Sequence, residues 1–378
     1  SNLPALMRAV VACGWFGINA WIGGQALFTM IKAATPSWAG LLGGPVGGHT
    51  PTEWISFMLF WALNMFVIIK GMTFLKKFES LAAPFVFVST TALMIWMVSQ
   101  AHGFGALVKD AGKYPRLGEF MPVFIPAVTA MIGSWATLSL NMPDFTRFSR
   151  SQRDQIVGQV AALPLTMTAF SGMGVVITSA GLVLFPNMEL VKMWDPVTLV
   201  GQFTIPWVVI PAMFTIMLAT LSVNIAANLV SPANDLANCF PRMISFKKGA
   251  LITGVAGLLM QPWRLMDDPH SYIFSWLLGY AGGLGAIAGV MIVDYWLVRK
   301  KQLNLPDLYL NQGEYGFSAG WNIKAVIATI FGCAAAWIGL VVPAVKILYD
   351  YSWFVGLGVA GAAYYLLTKS SSSNPAEQ

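Results

Sequence analysis

Apolar residues in this chain are not spaced for one face of a soluble helix or strand. They run for about twenty positions at a time and are punctuated by short segments rich in Gly, Pro and charge. Crossing a hydrocarbon core about 30 Å thick takes about 20 mainly apolar residues, and in lipid only a helix satisfies its own backbone along such a stretch. The pattern predicts helices over residues 5–32, 53–71, 78–101, 120–141, 160–186, 204–230, 249–264, 272–298, 322–345 and 347–368, with 249–264 short for a full span. The expected fold class is an all-α integral membrane protein of about ten transmembrane helices.

Composition agrees with that pattern and narrows it. Of 378 residues, 57% are hydrophobic and 10% charged, against about 25% charged in an ordinary soluble domain. No separate soluble domain is visible, only residues 370–378 read as a disordered tail, and no charge run suits nucleic acid. Cys13, Cys239 and Cys333 stand apart, without a CxxC pair or His neighbours, so neither a disulfide framework nor a metal cofactor is expected. With the first helix starting in the cytoplasm, fifteen of the 22 lysines and arginines fall inside, among them Arg8, Arg147, Arg150 and Arg153. This positive-inside bias sets the orientation, with the cell's inner (plasma) membrane as the location.

The acidic residues and His49, His102 and His270 all fall at helix ends or in loops. A charge at the bilayer centre costs about 2.5–3.5 kcal/mol on insertion scales, so where one is kept it marks a relay. None is visible here, which favours an uncharged site for a neutral substrate. It also argues against a membrane-embedded enzyme, which needs a nucleophile with its base, or clustered metal ligands, at depth.

Three segments carry polar groups at depth. In the first helix Trp15 and Asn19 are four apart, so an indole and an amide leave the same face; the alternative is packing with the amide as interhelical glue. Gly133-Ser134-Trp135 sits mid-helix, where a Gly-Ser pair permits a kink or unwound turn beside a cavity, or simply a bend with Trp135 packed in the wall. The sixth helix places Ala219, Ser222 and Ala226 on one stripe and Asn224 and Asn228 on another, a pattern that close helix packing explains equally well.

Taken together, GWFGINAWIGGQAL, GSWATLSLNMPDFTRFSR and LATLSVNIAANLVSPANDL resemble the nucleobase:cation symporter family of cytosine, purine, uracil, allantoin and hydantoin permeases. The resemblance implies a LeuT-like fold of two inverted five-helix repeats and two further helices, with this chain lacking the first two helices. On that frame residues 1–101 complete the first repeat, 102–300 form the second, and 301–369 are the C-terminal accessory helices. The family's substrate contacts map onto Trp15, which stacks on a planar ring, Asn19 and Asn228, which bond its polar edge, and Ser134 and Trp135 on a broken helix. Ser134 departs from the glycine of the hydantoin carrier. The family's sodium site maps onto the Ala219 carbonyl and the Ser222 hydroxyl, while Val223 stands where a further hydroxyl is found.

The function implied is secondary active import of a neutral planar nucleobase or related ring, by cation-coupled alternating access, in a monomer. An uncoupled facilitator or channel for small neutral solutes is the alternative. Because Val223 offers a methyl group where sodium needs oxygen, weak sodium dependence is expected, with H+ rather than Na+ as the driving ion. Its carrier would be the absent helices, a helix-end residue such as Glu79, or water.

Overall fold

The computed structural model describes residues 2–104, 114–140, 142, 146, 149–268, 275–310, 313–318 and 320–372. Eleven helices carry the description below: α1 Asn2–Ala34, α2 Pro51–Lys70, α3 Met72–Gln100, α4 Leu117–Ser139, α5 Gln152–Leu184, α6 Pro206–Val223, α7 Ser231–Cys239, α8 Phe246–Leu259, α9 Leu278–Val293, α10 Ile323–Val341 and α11 Ser352–Ser372. Two of them change winding. A π-helical segment Asn224–Val230 joins α6 to α7, and another, Asp294–Val298, continues α9.

Local signals start the helices. Thr50 Oγ1 accepts from the Glu53 amide at 3.3 Å while Glu53 Oε2 accepts from the Thr50 amide at 2.6 Å, a capping box ahead of α2 with Pro51 in its first turn. Ser151 caps α5 through the Asp154 amide at 3.1 Å, so this helix starts eight residues before the predicted 160; a polar first turn helps a capped helix begin. Asn322 caps α10 through the Ala325 amide at 3.1 Å.

Each of the ten predicted segments holds a helix among the described residues, and that predicted over 249–264 is broken at Gln261, whose φ is 52°. Among the described residues eight helices are long and apolar enough to cross a membrane. The remaining two segments are α8, which has only 14 residues, and α11, which has 21. The predicted 347–368 helix is interrupted at Tyr351, between a one-turn helix Lys346–Asp350 and α11.

The chain divides into two units, residues 1–113 with 143–267, and residues 114–142 with 268–378. In the first, α1 is the central helix and packs against α2, α6, α7 and α8. Phe16, Trp21, Phe57, Phe60, Leu221, Ile225 and Leu229 form its main core. Lipid gives little hydrophobic drive between membrane helices, so close approach through small residues matters more. Gly17 and Gly257 supply it: a Cβ on Gly17 would lie 2.4 Å from the Gly257 carbonyl oxygen, and one on Gly257 2.9 Å from that of Cys13. Past the middle of α1, Trp21 meets His49, Trp54, Phe57 and Trp263, with ring centroids 4.7–6.2 Å apart.

The second unit packs α4, α10 and α11 around α9. Trp337 Nε1 donates to the Gly279 carbonyl at 2.7 Å and Ser352 Oγ to that of Leu278 at 3.0 Å. At the end of α9, Asp294 accepts from Tyr364 Oη at 2.7 Å and from Arg299 Nε at 2.8 Å. Arg299 also pairs with Glu314 and lies 4.5 Å from the Tyr315 ring centroid. Burial alone would lower the Arg299 pKa, but Asp294 and then Glu314 outweigh it and hold the guanidinium above its ordinary value.

One expectation, the broken helix at Gly133-Ser134, is corrected. α4 runs unbroken through Gly133-Ser134. There the glycine permits contact rather than a break, since its Cβ would lie 2.9 Å from the Leu277 carbonyl oxygen. Arg8 is 1% exposed, buried in the first unit's packing.

Candidate functional site

Along α1, every position from Val11 to Ala20 is buried except Trp15 and Asn19. Their four-residue spacing puts both on one face, so this stretch of the helix opens on that face alone, at an indole and an amide. Asn19 Nδ2 donates to the Trp15 carbonyl at 3.0 Å. A carbonyl oxygen can only accept, so this bond holds the amide nitrogen against the helix.

Against this helix lies the π-helical segment. In π geometry residue i donates to i−5, so residue 232 would serve the carbonyl of Ala227, but Pro232 has no N–H. Arg8 Nη2 supplies the missing donor to the Ala227 oxygen. The segment is also tied by amides. Asn224 Nδ2 donates to the Phe16 carbonyl at 3.3 Å and to Asn64 Oδ1 at 3.1 Å. Asn228 Nδ2 in turn donates to Asn224 Oδ1 at 3.1 Å. Asn64 and Asn224 are 0% exposed and Asn228 5%. The Phe16 bond thus fixes the π segment that carries Asn228 against the α1 turn that carries Trp15 and Asn19.

Ala219 and Ser222 occupy the last turns of α6, both half-buried, just ahead of the π segment. Val223, the next residue, turns its side chain to the surface and is 54% exposed. Of the oxygens that the resemblance names, these positions keep the Ala219 carbonyl and the Ser222 hydroxyl, and Val223 adds no side-chain oxygen for a sodium ion. Among the described residues no three His, Cys, Asp or Glu gather as a metal site.

In the second unit Ser134 Oγ donates back to the Met131 carbonyl at 2.8 Å, which satisfies its hydroxyl within α4. Trp135 is 40% exposed. It lines a wide-open surface hollow with Phe124, Met131, Ile132 and Trp353 among the other walls, all apolar.

Trp15, Asn19 and Asn228 are therefore held in the first unit, and Ser134 and Trp135 in the second. Of the loop that follows α4, Asp144 and Arg147 lie outside the described residues, while Arg150 and Arg153 are exposed beside the start of α5. Sequence reasoning missed Arg8, Asn64 and Asn224 as site-building groups. The available signals were an amide inside the apolar run of α2 and a proline one turn after Asn228.

A family profile described as a permease for cytosine/purines, uracil, thiamine and allantoin matches residues 1–356. The chain is 40% identical over 380 residues to the allantoin permease of Bacillus subtilis, an overlap of 98% of this chain and 74% of that one. It is 38% identical over 395 residues to the purine-uracil permease of Arabidopsis thaliana, where 99% of this chain spans 65% of the relative. In structure it resembles a nucleobase-cation-symport-1 family transporter in a closed conformation with bromovinylhydantoin bound, with a TM-score of 0.73 and 25% identity over 97% of this chain and 76% of that one.

Proposed function

The chain belongs to the family of permeases for cytosine/purines, uracil, thiamine and allantoin, multi-pass membrane transporters and not enzymes, and we propose that it imports a neutral, planar, amide-rich ring by cation-coupled alternating access. The carrying observation is the opening on α1, where Trp15 and Asn19 alone break ten otherwise buried positions, beside the segment that bears Asn228. In this reading Trp15 stacks on the ring while Asn19 and Asn228 bond its edge. The resemblance gives Trp135 the role of a second aromatic face, with Ser134 beside it on the same helix.

The energetics suit such a ligand. Aromatic pairs contribute about 0.5–1.5 kcal/mol each beyond area burial, and neutral hydrogen bonds about the same. Two indoles, two amides and the buried ring together reach micromolar affinity, about −8 kcal/mol, without a charged anchor. The relatives' names make allantoin the first ring to test, followed by uracil and hydantoin. The repeat organisation over residues 1–101 and 102–300, a monomeric state and residence in the cell's inner (plasma) membrane are part of the same proposal.

For coupling, the proton is favoured over sodium. Val223 presents no oxygen where the resemblance calls for one, and Glu79 on α3 has Oε1 buried without a hydrogen-bond partner among the described residues. Such a carboxylate is suited to carry a proton.

Counterflow of labelled allantoin in liposomes tests the transport reading: a carrier exchanges label against unlabelled solute on the opposite side, and a pore shows no trans-stimulation. Trp15→Ala and Trp135→Ala should each raise the allantoin Kd about tenfold or more, equivalent to about 1.4 kcal/mol. Unchanged affinity in either folded variant removes that residue from the site.

A further inference from the structure

We infer that Asn64 and Asn224 are positioning residues that fix the polarity of the Asn228 amide, leaving its carbonyl oxygen for the substrate and selecting rings that present an N–H at that edge. The inference rests on the reading of Asn228 as a substrate contact. Four hydrogen bonds carry it.

Two groups here can only accept, the carbonyls of Phe60 and Phe16. Asn64 Nδ2 donates to the Phe60 carbonyl at 2.8 Å, so Asn64 must turn Oδ1 the other way. Asn224 meets that Oδ1 with Nδ2 at 3.1 Å, and the same nitrogen reaches the Phe16 carbonyl at 3.3 Å. Its orientation is thus set twice over, and Asn224 Oδ1 points at Asn228. Asn228 can answer an acceptor only with Nδ2, which it does at 3.1 Å. The oxygen of Asn228 is left directed away from Asn224, and among the described residues it makes no other side-chain hydrogen bond.

Reversing Asn228 alone would bring two amide oxygens together at that 3.1 Å separation. Reversing the whole chain would press Asn64 Oδ1 against the Phe60 carbonyl and Asn224 Oδ1 against that of Phe16. With Asn64 and Asn224 fully buried, no water reaches these groups to relieve such contacts. Asn19 follows the same logic on a smaller scale, its nitrogen held by the Trp15 carbonyl at 3.0 Å. Both edge-reading amides are therefore tied to the protein through nitrogen.

An acceptor held in this way distinguishes rings of equal shape. Uracil carries N3–H where cytosine has a bare N3, and hypoxanthine carries N1–H where adenine has a bare N1. A bare ring nitrogen facing a fixed carbonyl oxygen is an unpaired acceptor facing an acceptor, the situation in which a site built for hydrogen bonding rejects an analogue most strongly.

The test is binding competition by these four rings and by allantoin and hydantoin, using the full chain in detergent with labelled allantoin, together with Asn224→Leu, Asn64→Leu and Asn228→Ala. The wild-type protein should prefer uracil over cytosine, and hypoxanthine over adenine, by about tenfold or more. Asn224→Leu and Asn64→Leu release the Asn228 amide to rotate, so both preferences should fall to within about threefold. A purely structural role would weaken every ring alike and leave the ratios in place. Wild-type ratios near one, a reversed preference, or ratios retained in the leucine variants overturn the inference. Should the leucine variants fail to fold, the wild-type ratios decide. If Asn228→Ala leaves affinity and ranking untouched, or none of the six rings binds, the substrate reading of Asn228 falls and takes this inference with it. If Asn228→Ala weakens binding while the ratios stay flat, only the inference falls.

Discussion

Gly17 offers the sharpest test of how the first unit holds the proposed substrate face. It lies between Trp15 and Asn19 on α1 but points the other way, onto Gly257 of α8, where an added Cβ would sit 2.4 Å from a backbone oxygen and 3.3 Å from Pro262 Cγ. Ordinary contact begins at 3.4 Å, so Gly17→Ala forces α1 and α8 apart by about 1 Å, because the obstacle is backbone and cannot rotate away. A gap of that size forfeits about a quarter to a half of each dispersion contact across the interface. Overpacking of this kind costs about 1–3 kcal/mol. Thermal unfolding of the full chain in detergent, followed by tryptophan fluorescence, should show a Tm several degrees lower, with weaker ring binding because Trp15 and Asn19 ride on the displaced helix. Gly172→Ala on α5 is the control, since nothing lies within 4 Å of its added Cβ; a glycine inside a helix costs about 0.5–1 kcal/mol relative to alanine, so this change should be neutral or stabilising. Wild-type Tm and affinity in Gly17→Ala would refute the close-contact argument, and equal losses in both variants would show that the added methyl acts elsewhere.

Arg8→Met removes the donor that serves the Ala227 carbonyl; loss of a charge-assisted bond to a buried acceptor should cost about 2 kcal/mol in unfolding free energy and weaken ring binding through Asn228, whereas unchanged stability and affinity would mean the π segment holds itself. Tyr364→Phe deletes the 2.7 Å hydrogen bond to Asp294 and should lower stability by about 1–2 kcal/mol with ring affinity retained; a large affinity loss at full stability would contradict a purely structural network. For coupling, uptake by the full-length protein should persist when choline replaces sodium and stop with a protonophore, while Glu79→Gln should abolish gradient-driven uptake but keep counterflow. Strict sodium dependence would sink the argument from Val223.

The helices were legible because insertion in lipid imposes a crude rule, about 20 apolar residues with polar ends, that survives any detail of packing. Their boundaries were less so, since caps extend helices into polar sequence: hydropathy starts α5 at 160, yet Ser151 and Asp154 begin it at Gln152. The Trp15 and Asn19 stripe was readable as spacing, but spacing could not separate a substrate face from glue. What favours the proposed substrate face is that the other eight positions from Val11 to Ala20 are buried, a property of the neighbours rather than of α1. Gly133-Ser134 misled for a related reason. Glycine permits both a break and a close approach, and only the Leu277 carbonyl, distant in sequence, reveals the second use.

The least legible feature is also the one with most bearing on specificity. Read locally, Asn64 is a lone amide in an apolar helix, Arg8 a topology charge and Pro232 a helix breaker. Each is explained only by a group far along the chain: Asn64 by Asn224, Arg8 by the Ala227 carbonyl, and that carbonyl by the N–H that Pro232 lacks. Away from water a polar group cannot be left to solvent, so every unpaired donor or acceptor in one helix is an instruction about another. Lone polar residues in the apolar runs therefore inform about partners before they inform about ligands. A ligand contact is better sought at the member of such a chain whose outer atom has no side-chain partner among the described residues, which here is Asn228 rather than Asn64 or Asn224.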